Sequence, residues 1–151
     1  MKSLIVTADD AGIHAGMTEG AIRAHREGIV TACSVVAAGK AFDDTVARLR
    51  DVPSLEVGIH IALVEEESLT GIALPRSWAE FVRWNMTGRL PVVSLAREIR
   101  AQMQRVLDTG LRITHVNGHQ HLHVMHALFG ITRDLATEFG IPYVRRVDDH
   151  G

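Results

Sequence analysis

The chain has 151 residues, 46% of them hydrophobic and 23% charged, with a formal net charge of −2. That is one domain's worth of ordinary soluble composition. Its 16 lysines and arginines are scattered along the chain, which leaves no basic stripe and excludes nucleic acid as an expected partner. No stretch reaches membrane-spanning length, and the opening MKSLIVTADD is interrupted by two aspartates too early for a signal-peptide core. The single cysteine, Cys33 in TACSVVAAG, permits no internal disulfide, so the expected location is the cytoplasm and the expected role of Cys33 is core packing.

Taken in chain order, the pattern alternates strand and helix. Residues 3–8 (SLIVTA) read as a buried strand, and 17–28 as a helix with basic residues in its last turn and Gly28 as its stop. A second strand is expected over 29–37, a helix over 41–52 ending before Pro53, and a third apolar strand over 55–64. Residues 65–92 are irregular, with one short amphipathic helix capped by Ser77. Trp78, Phe81 and Trp84 on that helix are candidates for an apolar lid, although aromatics at helical spacing more commonly serve the core. A helix follows over 94–110, stopped by Gly110, then a fourth strand over 112–118, a helix over 126–140 and a fifth strand over 142–147. Such alternation predicts an α/β fold, with a parallel sheet or barrel and ligands at the carboxyl ends of the strands.

The unusual residues lie at those ends. Five of the nine histidines, His115, His119, His121, His123 and His126, fall within ITHVNGHQHLHVMH. Read as an extended chain, this stretch puts His115, Asn117, His119, His121 and His123 on one side. Asp9-Asp10 close the first strand and His60 interrupts the third. Aspartates and histidines from three strand ends make the composition of an open divalent-metal site with positions left for water and substrate. Adjacent carboxylates repel, so a cation beside them favours keeping both ionised. Taken singly, Asp9-Asp10 before Gly12 also fits turn and capping chemistry, and His60 fits a buried structural histidine. His14, His25 and His150 read as surface residues.

The stretches LIVTADDAG, REGIVTACS, VGIHIALV and THVNGHQHLH, in this order, resemble the YdjC-like carbohydrate deacetylases, and especially the hopanoid-biosynthesis-associated HpnK branch. The resemblance implies a distorted (β/α) barrel that uses a divalent metal, zinc or magnesium, to remove the acetyl group from N-acetylated amino sugars. It implies Asp10, His60 and His119 as metal ligands and Asp9 as the general base that takes a proton from the attacking water. Asn117, His121 and Arg145 would face the substrate, with Arg145 steadying the base or the sugar. Two positions depart from the usual pattern: Ala11 stands where relatives carry phenylalanine, and Asn117 where many carry aspartate, although the hopanoid branch is similar at the latter.

Chains of this family usually continue into further strands that include a late histidine resembling the general acid. Residues 1–151 are therefore expected to form one deacetylase domain truncated at its C-terminus, with about five parallel strands. Its open sheet edges would be covered by a homo-oligomeric partner or by segment exchange. Two other readings stay open: a metal-binding module without catalysis, and a metal phosphoesterase, which would hold two ions in place of one.

Overall fold

The computed structural model describes residues 4–146. In chain order these form β1 (Thr7–Ala11), α1 (Ala15–Glu27), β2 (Ala32–Val35), α2 (Phe42–Arg50), β3 (Glu56–Ile61), α3 (Trp78–Met86), α4 (Val92–Leu107), β4 (Ile113–Gly118), α5 (His126–Glu138) and β5 (Tyr143–Val144). The strands make one sheet in the order β1-β2-β3-β4-β5, every pairing parallel. Strands added in chain order require crossovers of one hand, and the right-handed crossover places the connecting helices on one face of the sheet. This is the winding of a (β/α) barrel, so the expected α/β class and its five parallel strands are present.

Alternation along the strands sorts the residues into two faces. Cys33, Val35, Val57, Ile59, Ile61 and Val116 join Leu49, Leu95, Ile99 and Met103 in the hydrophobic core under the helices. Burying each such aliphatic side chain contributes about 1.5–3 kcal/mol. Cys33 is fully buried there, and burial pushes its thiol up to about 12, which leaves it no nucleophilic character. The alternate positions form a polar face: the register sets Ser34 beside Gly58, Gly58 beside His115, and His60 beside Asn117. Gly58 is the gap that admits the His115 ring, since a Cβ there would collide with the imidazole.

Several boundaries differ from the sequence expectation. β1 is displaced from 3–8 to Thr7–Ala11, and residue 3 lies outside the described residues. The paired aspartates are therefore inside the strand, where its register to β2 shifts between Ala8 and Ala11. β2 and β3 are shorter than predicted at Ala32–Val35 and Glu56–Ile61. Ala62, Leu63 and Val64 are nonetheless buried, because a buried connection carries the same apolar signal as a strand. β5 keeps only Tyr143–Val144, and residue 147 lies outside the described residues. Ser77 caps α3 as expected, accepting from the Glu80 N–H at 3.3 Å.

The aromatic trio of α3 divides. Phe81 and Trp84 are buried, the latter beneath the Arg89 guanidinium at 4.0 Å, and they hold the helix to the core. Trp78 alone is exposed, at 53%, so no three-residue lid exists. Among the described residues no helix is long and apolar enough to cross a membrane.

Candidate metal centre

Asp9 is the anchor of the polar face. Its Oδ1 accepts from the Ser34 hydroxyl at 2.8 Å and from Asn117 Nδ2 at 2.7 Å, and its Oδ2 accepts from Arg145 Nη1 at 2.8 Å. Burial raises the Asp9 pKa, but the Arg145 and Ser34 hydrogen bonds and the nearby His60 and Arg145 charges outweigh it and hold the carboxyl below its usual range. Because a carboxylate only accepts, Asn117 must turn its amide nitrogen to Asp9 and its oxygen to His60. Asn117 Oδ1 lies 2.6 Å from His60 Nδ1. That nitrogen therefore carries the proton, and Nε2 is the nitrogen that faces Asp10, at 3.0 Å.

Asp10 Oδ1 receives a second imidazole, His119 Nδ1, at 2.7 Å. Hydrogen bonding to His60 leads in holding the Asp10 carboxyl down at about 2; burial opposes it, and the His60 and His119 charges reinforce it. His119 in turn has Glu65 Oε2 3.2 Å from its Nε2. Each of the two rings thus has an acceptor at both nitrogens, whereas a neutral imidazole has one N–H. Protons can complete the arrangement only if the rings are imidazolium; a divalent cation completes it with neutral rings. Asp10, His60 and His119 offer ligand atoms all within 4.8 Å of one another, the one such cluster of three among the described residues. One carboxylate oxygen and two imidazole nitrogens suit a divalent ion.

Strained backbone is concentrated at this site. Among the described residues the non-glycine positions with positive φ are Asp10 (66°), Glu65 (66°), Gln120 (49°) and His121 (57°). Such conformations cost about 1–3 kcal/mol each and persist where the surroundings over-determine them. The pair Gln120–His121 also overturns the extended reading of the histidine stretch. His119–Val124 turn as a kinked 3₁₀ segment, so the five histidines do not share a side. His121 is exposed, with its ring 6.4 Å from that of His123, and it is not in the metal-ligating cluster.

His115 and His123 are buried. The ring of His115 contacts the Thr114 hydroxyl at 3.0 Å, and His123 Nε2 donates to the Arg145 carbonyl at 3.0 Å. Burial is the leading cause that lowers both to about 4. His123 lies against Gly118, where a Cβ would come within 2.8 Å of its Nδ1.

Other predicted residues are placed as follows. Asn117 is fully buried and reaches Asp9 and His60 instead of open space, and Arg145 is spent on Asp9. His14 is exposed, as expected. His25 is not a free surface residue: its ring bonds the Val30 carbonyl at 2.7 Å and Ser54 Oγ at 2.9 Å. His150 lies outside the described residues. Ser34 and Glu65 were not foreseen. Ser34 is the one polar residue in CSVVAAG, a faint signal, and Glu65 opens the run EEE, which reads as solvated charge.

A singly wound parallel sheet with an Asp/His/His cluster at its strand ends defines the class as a barrel-type α/β protein whose strand ends carry a group of side chains that could hold a metal ion. The chain belongs to the YdjC-like protein family, whose profile matches residues 3–150. It is 34% identical over 143 residues to a carbohydrate deacetylase of Brevibacillus brevis, covering 92% of this chain and 57% of that protein. It is 35% identical over 149 residues to a chitooligosaccharide deacetylase of Salmonella paratyphi B, covering 93% and 58%. The chain therefore spans somewhat over half the length of these curated relatives. A crystal structure of a candidate cellobiose-phosphate cleavage protein from Enterococcus faecalis V583 has the same fold, with a TM-score of 0.80 at 22% identity, covering 92% of this chain and 57% of that one.

Proposed function

We propose that residues 1–151 belong to one deacetylase domain that hydrolyses the acetamide of an N-acetylated amino sugar, with one divalent metal held by Asp10, His60 and His119. The observation that carries this reading is the pair of imidazoles aimed at one Asp10 oxygen, each with a further acceptor behind it. Its family membership and the names of its relatives supply the substrate class. The bound ion would contribute Lewis-acid polarisation of the acetyl carbonyl and a water of lowered pKa.

Asp9 is the general base in this reading. Three donors fix its carboxylate, and about four acceptor positions per carboxylate leave one for the attacking water. Held ionised, Asp9 is a weak base, which suits a water already acidified. Arg145 steadies Asp9, and Asn117 serves through Asp9 and His60. His121, exposed beside the cluster, is the residue of this segment free to meet a sugar hydroxyl. The acid that protonates the departing amine belongs to the longer relatives, by the resemblance of their late histidine.

The test uses the full-length protein on N,N′-diacetylchitobiose. Acetate release is expected to require metal, to vanish in Asp10→Ala and His60→Ala, and to fall about 10²–10⁴-fold in Asp9→Asn. One ion per chain is expected; two would favour the phosphoesterase reading, and metal binding without acetate release would favour a non-catalytic module. Within the deacetylases we place N-acetylglucosamine carried on a hopanoid as the substrate, on the likeness of THVNGHQHLH to that branch. Turnover no faster on the hopanoid-linked sugar than on chitobiose would remove that refinement. A cytoplasmic location suits a protein whose lone cysteine is buried and unpaired.

A further inference from the structure

We infer that Glu65 is a positioning residue for the metal centre: by accepting the His119 Nε2 proton it fixes the tautomer that turns Nδ1 toward Asp10 and the ion. The inference rests on the metal reading above. It starts from a symmetry of function between two unlike residues. Asn117 takes the Nδ1 proton of His60 and leaves Nε2 facing Asp10. Glu65 stands behind His119 in the opposite sense, at Nε2, and leaves Nδ1 facing Asp10. Ligand histidines generally donate their second N–H to a carboxylate or carbonyl, which sets ring orientation and raises ligand basicity.

The surroundings are built to hold Glu65 there. Its second oxygen accepts from Gln120 Nε2 at 2.8 Å, so one carboxylate grips two successive residues of the turn after β4. Its backbone N–H donates to the Pro75 carbonyl at 3.1 Å. Glu65 and Gln120 both have positive φ, a conformation that disfavours side chains of this size. The Glu65 side chain is exposed, so its hydrogen bonds to His119 and Gln120, and not burial, hold it in this conformation. The loop is pinned again a few residues on, where buried Glu98 accepts from the Leu69 and Thr70 N–H groups at 3.0 Å each. Glu65 thus reaches His119 from a braced loop.

The experiment measures Zn²⁺ affinity by chelator competition, and the absorption of the Co²⁺-loaded protein, in full-length wild type, Glu65→Ala, Glu65→Gln and His119→Ala. Glu65→Ala is expected to bind Zn²⁺ about 10–100-fold more weakly. Its Co²⁺ spectrum at saturation and its metal-free Tm should remain those of wild type. Glu65→Gln, whose amide oxygen still accepts the Nε2 proton, should recover much of the affinity; if Glu65→Ala does not fold, a Glu65→Gln affinity between those of wild type and His119→Ala supports the inference. Zn²⁺ binding lost in His119→Ala but unchanged in both Glu65 variants would overturn it while leaving the metal centre standing. A changed Co²⁺ spectrum in Glu65→Ala would also overturn it, by making Glu65 a ligand. A wild type that binds no Zn²⁺ would remove the metal reading and this inference together.

Discussion

Asn117 shows how one buried amide can set the chemistry of two neighbours. It gives a hydrogen to Asp9 and receives one from His60, so Asn117→Ala should weaken Zn²⁺ binding about 10–100-fold through the loosened ring. It should also cost about 1–3 kcal/mol of stability through the unmet partners, measured by urea unfolding of the metal-free protein. The buried histidines give a pH prediction. His115 and His123 titrate at about 4 in the folded chain and near 6.5 when unfolded. Between those values the unfolded state binds more protons, so metal-free stability should fall as pH drops from about 6.5 to 4, by up to about 1.4 kcal/mol per pH unit for each ring. His115→Leu should flatten that slope by roughly half in unfolding measured across the window. At this scale the site was partly legible. Aspartates and histidines at predicted strand ends stood out by type and position, and the family resemblance singled out Asp10, His60 and His119 among them, whereas Glu65 did not stand out, because nothing local distinguishes a bracing glutamate from Glu66 and Glu67 beside it.

At the scale of elements, α4 does more than pack. Glu98, fully buried, accepts from Ser68 Oγ, Thr70 Oγ1 and Gln102 Nε2 at 2.7, 2.7 and 2.8 Å as well as from the two backbone N–H groups. Gln102 binds both backbone groups of Ala62, at 2.9 and 2.7 Å. The helix therefore anchors the connection after β3 at both ends of the segment that carries Glu65. Burial raises the Glu98 pKa, but these hydrogen bonds outweigh it and hold the carboxyl low. Its contribution is present above the unfolded value and lost as pH falls through the folded one. Glu98→Ala should destabilise by about 1–3 kcal/mol, since the buried Gln102 amide loses its partner and the part-buried donors of the loop lose theirs, and should speed amide exchange at Leu69 and Thr70. Helix periods located every helix to within a few residues. The histidine segment was misread as extended because two left-handed residues, Gln120 and His121, bend it, and neither is a glycine that would have announced the bend.

For the whole molecule, the described sheet leaves β1 and β5 as edges, and β5 contributes only two residues. Unpaired edges invite strand addition, so the isolated 151-residue chain is expected to self-associate, which sedimentation velocity would reveal as a concentration-dependent mass. If the acid of the proposed reaction is the relatives' late histidine, the isolated 151-residue chain should bind one divalent ion per protomer yet release acetate from chitobiose about 10²–10⁴-fold more slowly than a version of the relatives' length. Equal turnover by the two would place the acid within these residues.

What the sequence determined by itself was the alternation of apolar strands with helices and the residue types at the strand ends. Both are short-range patterns, set by the two-residue and 3.6-residue periods of the backbone. What only the tertiary structure decided was which of those polar groups meet. The parallel register brings Asn117 beside His60, and the amide of Asn117, oriented by Asp9 from 108 residues away, chooses the nitrogen that His60 presents. The choice of His119 over His121 came from a bend in backbone conformation. Contacts of this kind depend on distances between segments remote in the chain, and no local period encodes them.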